Sequence, residues 1–473
     1  MLFSSLVFIF LFVPCFFAFL FILNLVEKRN VRFDYVLIIF FSLVFYFYSS
    51  GDLVVLLLVS IYLNWAASRL MFFLSGRKKR LVLVSAITLN MSALIYFKYS
   101  AYFLQTLSTF AGNKGFVEFR PELPIALSFY TFMSISYLVE TYRSSLRKIG
   151  LLEYASYLSL FPHLIAGPII RFGEILPELS DTKRFSMHKF NLGLSRFCKG
   201  LAMKVLLANN LAPVVDELFA QNKNSVVFHE AWLGAFAYSL QIYFDFAGYT
   251  SMGVGLALMI GITFPENFNR PYLSRSVTEF WRKWHMSLSR WFRDYVYIPL
   301  GGNREGRLRT SLNLIIVFAL CGLWHGAATT FLVWGLYQGC FLLIERTFFK
   351  TKELQSRSAI WVLVTFMVTT VGWVIFRAES LQQAGDFFRA MLRVDQLFAL
   401  HTITIAKPEA SFWLAVIVGS LIVFLPTKIL VSSDKLPAPI FNIVQAVTPV
   451  ILLVTSTALI VQSSFQPFIY FRF

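Results

Sequence analysis

Charge is scarce in this chain: 14% of its 473 residues are Asp, Glu, Lys or Arg, where a soluble protein carries roughly a quarter. Cysteine is scarcer still. Cys15, Cys198, Cys321 and Cys340 are scattered through the sequence, with neither a paired framework nor metal-ligand spacing, so a disulfide scaffold and a zinc finger are both excluded. There is no G-x-S-x-G nucleophile elbow, no phosphate-binding loop and no H-E-x-x-H zinc motif. Long polar stretches are missing too, which removes the disordered and fibrous classes.

What fills the chain is apolar: 57% of residues are hydrophobic and 53 are phenylalanine. That composition predicts an all-α protein that crosses a membrane many times. The 42 basic residues outnumber the 25 acidic ones, but they lie in short clusters between apolar segments. Such clusters set the orientation of spans and touch anionic headgroups, so no nucleic-acid partner is expected. The apolar run from Met1 to Leu25 has no basic residue before it and no small-residue cleavage site. It is read as an uncleaved first span with its start outside the cytoplasm.

A helix needs about 20 apolar residues to cross the hydrocarbon core. Candidate spans are 2–25, 34–49, 53–73, 81–104, 122–140, 201–219, 229–262, 312–344, 359–376, 411–430 and 440–463, some of them broken or re-entrant, giving around ten crossings. The clusters Lys28–Arg32, Arg77–Arg80 and Arg143–Lys148 are expected in the cytoplasm, with Ser49–Asp52 and Asn113–Pro124 outside. No internal repeat and no long linker is visible. Residues 1–473 are therefore read as a single transmembrane domain, with N-terminal spans in 1–150, a motif-bearing core in 151–345, and C-terminal spans and an aromatic tail in 346–473. Within the core, 151–200 and 264–310 mix aromatics, prolines, glycines and charges. Irregular backbone of that kind lies at the interface or lines a protein cavity, which makes these segments the place to look for function.

Between Arg309 and Glu345 there is no formal charge. One straight helix over that length would run about 50 Å, beyond the bilayer core. The stretch must bend or turn back, and Gly322 and Gly326, flanking Trp324 and His325, mark the place. An ionisable residue so placed is a functional candidate. Buried imidazole favours its neutral form, which can accept a proton. The alternative is a core histidine bonded to a carbonyl freed by the break.

From Phe280 to Tyr295 the spacing of Trp281, Trp284, His285, Leu288, Trp291, Phe292 and Tyr295 predicts one amphipathic interfacial helix. Arg282, Lys283, Arg290 and Arg293 fall on its polar side, while His285 lands on the aromatic face. The spacing leaves open a membrane anchor with a satisfied histidine or a polar group aimed inward beside a basic rim. Asp245, set among aromatics in Tyr243–Tyr249, is either glue to a nearby base or part of a cavity. His163 sits between two prolines and reads as structural; His188, His229 and His401 take no role.

On these residues the chain resembles the membrane-bound O-acyltransferase family, in its bacterial branch that includes the integral-membrane subunit of alginate O-acetylation. The matching stretches are FPHLIAGPIIR (Phe161–Arg171), QIYFDFAGY (Gln241–Tyr249), ENFNRPY (Glu266–Tyr272), FWRKWHMSLSRWFRDYVYIPLGGN (Phe280–Asn303) and LWHG (Leu323–Gly326) with Trp334-Gly335. The resemblance implies that His325 matches the family's catalytic histidine and His285 the second histidine of the branch. It implies many helices, some re-entrant or interfacial, around a central cavity open to both membrane faces. Further cavity or donor-contact candidates are Asp245, Asn269, Trp281, Arg282, Lys283 and Trp324.

By the same resemblance, an acetyl group would pass from cytoplasmic acetyl-CoA across the bacterial inner membrane to O-acetylate alginate or a similar exopolysaccharide, with no metal. The bilayer and an extracytoplasmic acetyltransferase would be its partners. The closing residues 468–473 are similar to the aromatic terminal motif of the small peptide that accompanies the D-alanylating relatives, which makes Tyr470 a candidate acyl relay. Peptidoglycan is the alternative acceptor. A transporter or flippase without chemistry is the alternative of another class.

Overall fold

The computed structural model describes residues 1–26, 30–111, 121–143, 146–165, 167–221, 226–349, 358–396, 408–425 and 438–462. Its described residues form helices, with short π and 3-10 turns and no strand. Five stretches among them are long and apolar enough to cross a membrane: Val31–Phe72, Gly76–Ser108, Gly306–His325, Ile360–Arg377 and Ile443–Gln462. Two shorter apolar helices, Phe8–Asn24 and Ala410–Phe424, accompany them. The all-α, multi-span expectation holds, and 122–140, 201–219 and 229–262 are largely helical as well.

Contacts divide the chain into two compact units, Met1–Cys198 with Tyr249–Pro265, and Lys199–Gly248 with Glu266–Phe473. The first unit holds α1 (Val13–Asn24), α2 (Val31–Ser50), α3 (Val54–Phe72), α4 (Gly76–Ala111), α5 (Leu127–Tyr142), α6 (Leu151–Ser159), α7 (Phe161–Leu164), α8 (Phe172–Leu179) and most of α9 (Met187–Ala202). Its core is phenylalanine: Phe8, Phe12, Phe16, Phe45 and Phe161 meet edge-on, tilted or stacked at centroid distances of 5.2–6.3 Å. Edge-to-face pairs add to simple area burial, which is one use for so many phenylalanines. One fully buried ion pair, Arg184 with Asp34 at 3.1 Å, ties α2 to the segment before α9. His163 is fully buried and its Nε2–H donates to the Tyr157 carbonyl at 2.8 Å, a structural bond.

The second unit takes α10 (Asn209–Ala220), most of α11 (Phe228–Ile260), α12 (Val277–Lys283), α13 (Met286–Phe292), α14 (Gly306–His325), α15 (Thr329–Phe348), α16 (Ile360–Arg377), α17 (Leu381–Leu392), α18 (Ala410–Phe424) and α19 (Ala438–Gln462). The charge-free stretch is a hairpin, as its length required. It breaks at Gly326–Ala328, and α14 packs against α15. Two glycines make the close approach: a β-carbon at Gly322 would collide with the Phe331 carbonyl oxygen, and one at Gly335 with that of Phe318.

The segment read as one interfacial helix is different. It is α12 and α13 with a break between them, followed by a π turn at Arg293–Tyr297. Trp284 is extended and His285 takes the left-handed conformation, φ 41° and ψ 55°. Helical spacing picked out residues that are buried, Trp281, Trp284, His285, Leu288, Trp291 and Phe292, but could not register a break made without glycine or proline.

Candidate functional site

His325 is the last residue of α14 and is 5% exposed. The hairpin turn delivers it into a box of aromatic rings. Trp334 of α15 lies 5.2 Å away at 88°, Phe376 of α16 at 5.0 Å and 83°, and Trp324 at 4.7 Å. Trp373 stacks on Trp334 at 5.8 Å and extends the wall. Apolar walls of this kind lower the local dielectric and so strengthen any electrostatic interaction inside the box.

His285 is built from below by two loops. Residues 267–269 run beside the α12–α13 break. The Asn269 N–H donates to the Lys283 carbonyl and the Met286 N–H to the Asn267 carbonyl, both at 2.9 Å. The Asn267 side-chain oxygen contacts His285 Nδ1 at 3.1 Å and accepts from the Ser287 N–H at 3.1 Å and the Ser287 hydroxyl at 2.9 Å. These bonds hold a non-glycine residue in a region that ordinarily costs of order 1 kcal/mol or more. The ring is 1% exposed, with Phe246 edge-on at 4.7 Å and Trp324 at 6.1 Å. Burial pushes its pKa down to about 3, so it is neutral at physiological pH. Its Nε2 is buried without a hydrogen-bond partner among the described residues.

A carboxylate from α15 fixes the helix that leads to His285. Glu345 accepts from the Val277 N–H at 2.7 Å, the Thr278 N–H at 2.9 Å and the Thr278 hydroxyl at 2.8 Å. Those are orphan donors at the start of α12, where negative charge also meets the positive end of the helix dipole. Arg270, left-handed at φ 48°, donates to the carbonyls of Val423 and Leu425 at the end of α18.

The structure brings some sequence candidates together and leaves others apart. Trp324 lies against both histidines. Trp281 packs edge-on to Trp334 at 5.7 Å and donates to Gln338 Oε1 at 3.3 Å. Asp245 pairs with Lys204 at 2.5 Å, both nearly fully buried, while its neighbour Phe246 touches His285. Arg282 and Asn269 are exposed, and Lys283 pairs with Glu279 at 2.6 Å on the half-exposed side of α12. Tyr470 lies outside the described residues.

Asn267, Glu345 and Lys204 went unnoticed in the sequence. The first sits two positions from Asn269 in the same ENFNRPY stretch, but only the fold separates the buried asparagine from the exposed one. Among the described residues no three His, Cys, Asp or Glu side chains group as metal ligands. A cavity of about 650 Å³ lies between α10 and α17, lined by Phe219, Gln383, Asp386, Phe387, Arg389 and Arg393 among others. Neither histidine lines it.

The arrangement can do proton chemistry. It offers two buried imidazoles sharing a tryptophan neighbour, one with a ring nitrogen that has no hydrogen-bond partner among the described residues.

Comparison with known proteins gives the chemistry its class. The model of the membrane-bound O-acyltransferase family matches residues 77–405. The "Probable alginate O-acetylase AlgI" of Pseudomonas aeruginosa is 40% identical over 400 residues, covering 83% of this chain and 75% of that protein. The peptidoglycan O-acetyltransferase of Helicobacter pylori is 34% identical over 471 residues, covering 89% of each. The teichoic acid D-alanyltransferase of Bacillus subtilis is 29% identical, over 54% of this chain and 69% of that protein. The chain is a multi-pass membrane O-acyltransferase and belongs to the membrane-bound O-acyltransferase family.

Proposed function

We propose that this enzyme passes an acetyl group from cytoplasmic acetyl-CoA across the bacterial inner membrane for O-acetylation of an envelope polysaccharide, alginate or a similar exopolysaccharide. The observation that carries the reading is the placement of His285 and His325 in one unit, both buried and both against Trp324. Names of the relatives supply the substrate class, since two of the three act as O-acetylases of a glycan by name.

In this reading a neutral imidazole takes the proton of an acceptor hydroxyl as its oxygen attacks the thioester carbonyl carbon. The new C–O bond forms, the C–S bond breaks, and the proton follows to the departing coenzyme A sulfur. His325 is the base or the group that orients the thioester, and His285 is the second participant. Trp281 and Trp324 wall the reaction space and Asp245 buttresses it through Phe246. The exposed Arg282, the half-exposed Lys283 and the exposed Asn269 form a polar rim suited to the anionic donor. Tyr470 is the candidate acyl carrier on the exit side, and a separate extracytoplasmic acetyltransferase completes delivery to the glycan.

Peptidoglycan is the second acceptor, favoured by the match along 89% of both chains with the Helicobacter pylori enzyme. The O-acetyl content of alginate-type exopolysaccharide and of peptidoglycan, compared in cells with and without the gene, separates the two. Loss in the exopolysaccharide alone supports the first reading and loss in peptidoglycan alone the second. Unchanged acetylation in every envelope fraction would overturn both.

A further inference from the structure

We infer that Asn267 is the positioning residue that fixes the tautomer of His285, so that this second participant presents a bare Nε2 able to accept a hydrogen bond or a proton. This rests on the acyl-transfer reading for its purpose, and on hydrogen-bond geometry for its substance.

Three groups converge on one oxygen, Asn267 Oδ1: the Ser287 N–H at 3.1 Å, the Ser287 hydroxyl at 2.9 Å and His285 Nδ1 at 3.1 Å. A backbone N–H can only donate, so the atom it faces is an acceptor. An amide oxygen cannot donate, so the bond with Nδ1 exists only if Nδ1 carries hydrogen. In neutral imidazole the other nitrogen then holds the lone pair. That nitrogen, Nε2, is buried with no hydrogen-bond partner among the described residues, although leaving a buried polar atom unpaired costs about 1–3 kcal/mol. The surrounding backbone holds the ring in this arrangement. Two backbone bonds pin residues 267–269 to the α12–α13 break, and His285 sits at positive φ to reach Asn267. The two rings in contact with it among the described residues, Phe246 and Trp324, carry no charge, which leaves the amide as the group that sets the tautomer there.

The same logic holds histidines in metal sites and catalytic triads, where a partner on one nitrogen prepares the other. Here the partner is neutral, which sets the tautomer without favouring imidazolium. A carboxylate in its place would accept the same three bonds and also stabilise the charged ring.

The test uses the full-length protein purified in detergent, with acetyl-CoA as donor, and pairs a spectrum with kinetics. Nitrogen-15 NMR of histidine-labelled protein, with His285 assigned by the signal lost in His285→Gln, should show hydrogen on Nδ1 and a bare Nε2. In Asn267→Asp the His285 signal should move toward imidazolium, and the acid limb of the rate profile should shift upward by at least one pH unit. Asn267→Ala should lose at least tenfold in kcat with KM for acetyl-CoA within twofold.

A His285 signal with hydrogen on Nε2 overturns the inference whatever the activity. So does an Asn267→Asp protein with the wild-type acid limb, or an Asn267→Ala protein that loses thermal stability but keeps kcat. If the wild-type protein transfers no acyl group, the functional reading falls, and the positioning role with it. The tautomer is still decided by the spectrum.

Discussion

Lys204 and Asp245 face each other at 2.5 Å, with 4% and 3% of their side chains exposed. Lys204 stands on a π-helical turn, Met203–Ala208, which turns its side chain out of the α-helical phase. Asp245 is on α11 beside Phe246, the residue whose ring meets His285 edge-on. Of the two sequence readings of Asp245, a carboxylate glued to a base describes what the structure holds, and the pair sits one residue from the candidate site.

A buried pair is costly to break and cheap to replace. Asp245→Leu removes the carboxylate that faces the buried Lys204 ammonium and should destabilise by about 3–5 kcal/mol, whereas the Lys204→Met/Asp245→Leu double variant should recover most of that loss. Thermal unfolding midpoints in detergent decide it. A double variant less stable than Asp245→Leu would show that the pair is not acting as a unit.

The clamp of Glu345 on α12 makes a second expectation. Charged acceptors contribute about 1.5–3 kcal/mol per bond, and three donors converge on this carboxylate. Glu345→Ala should lower the midpoint and reduce acyl transfer by well over tenfold through loss of His285 placement. Glu345→Gln, which keeps an acceptor, should fall between. Equal activity in all three proteins would contradict the clamp.

Close packing in the hairpin gives a third. Gly335→Ala would push a methyl into the Phe318 carbonyl and separate α14 from α15. A cost of about 1–3 kcal/mol or more is expected, with activity falling because His325 sits at the hairpin tip. Gly385→Ala, at a position with open space around it, serves as the control and should leave both properties near wild type.

Protonation supplies a fourth. Folded His285 titrates near 3 because it is buried, while the unfolded residue takes up its proton near 6.5. Between those values the unfolded state binds the extra proton, so the stability tied to this group is full above pH 6.5 and lost as pH falls toward 3. The midpoint advantage of wild type over His285→Gln should therefore shrink from pH 7.5 to pH 4.5. Parallel curves would mean that His285 is not held neutral.

Much of this was legible from residue order. The absence of charge from Arg309 to Glu345 and the placement of Gly322 and Gly326 required the hairpin, and the structure turns at Gly326–Ala328. Apolar lengths located the helices, because backbone groups in lipid must be satisfied within the segment. What stayed hidden depends on contacts remote in sequence. Asn267 and His285 are 18 positions apart and Thr278 and Glu345 are 67 apart, and no periodicity links them. The break at Trp284–His285 is held by those same contacts, so helix spacing alone ran through it.

The most direct test of the account is transfer of labelled acetyl from acetyl-CoA by the purified protein in proteoliposomes, comparing wild type, His325→Ala and His285→Ala at matched folding. Both single variants should lose at least a hundredfold in turnover, and the double variant should be no worse than the poorer single, as expected of two imidazoles proposed to act in one site. Transfer by His325→Ala at the wild-type rate would contradict the account.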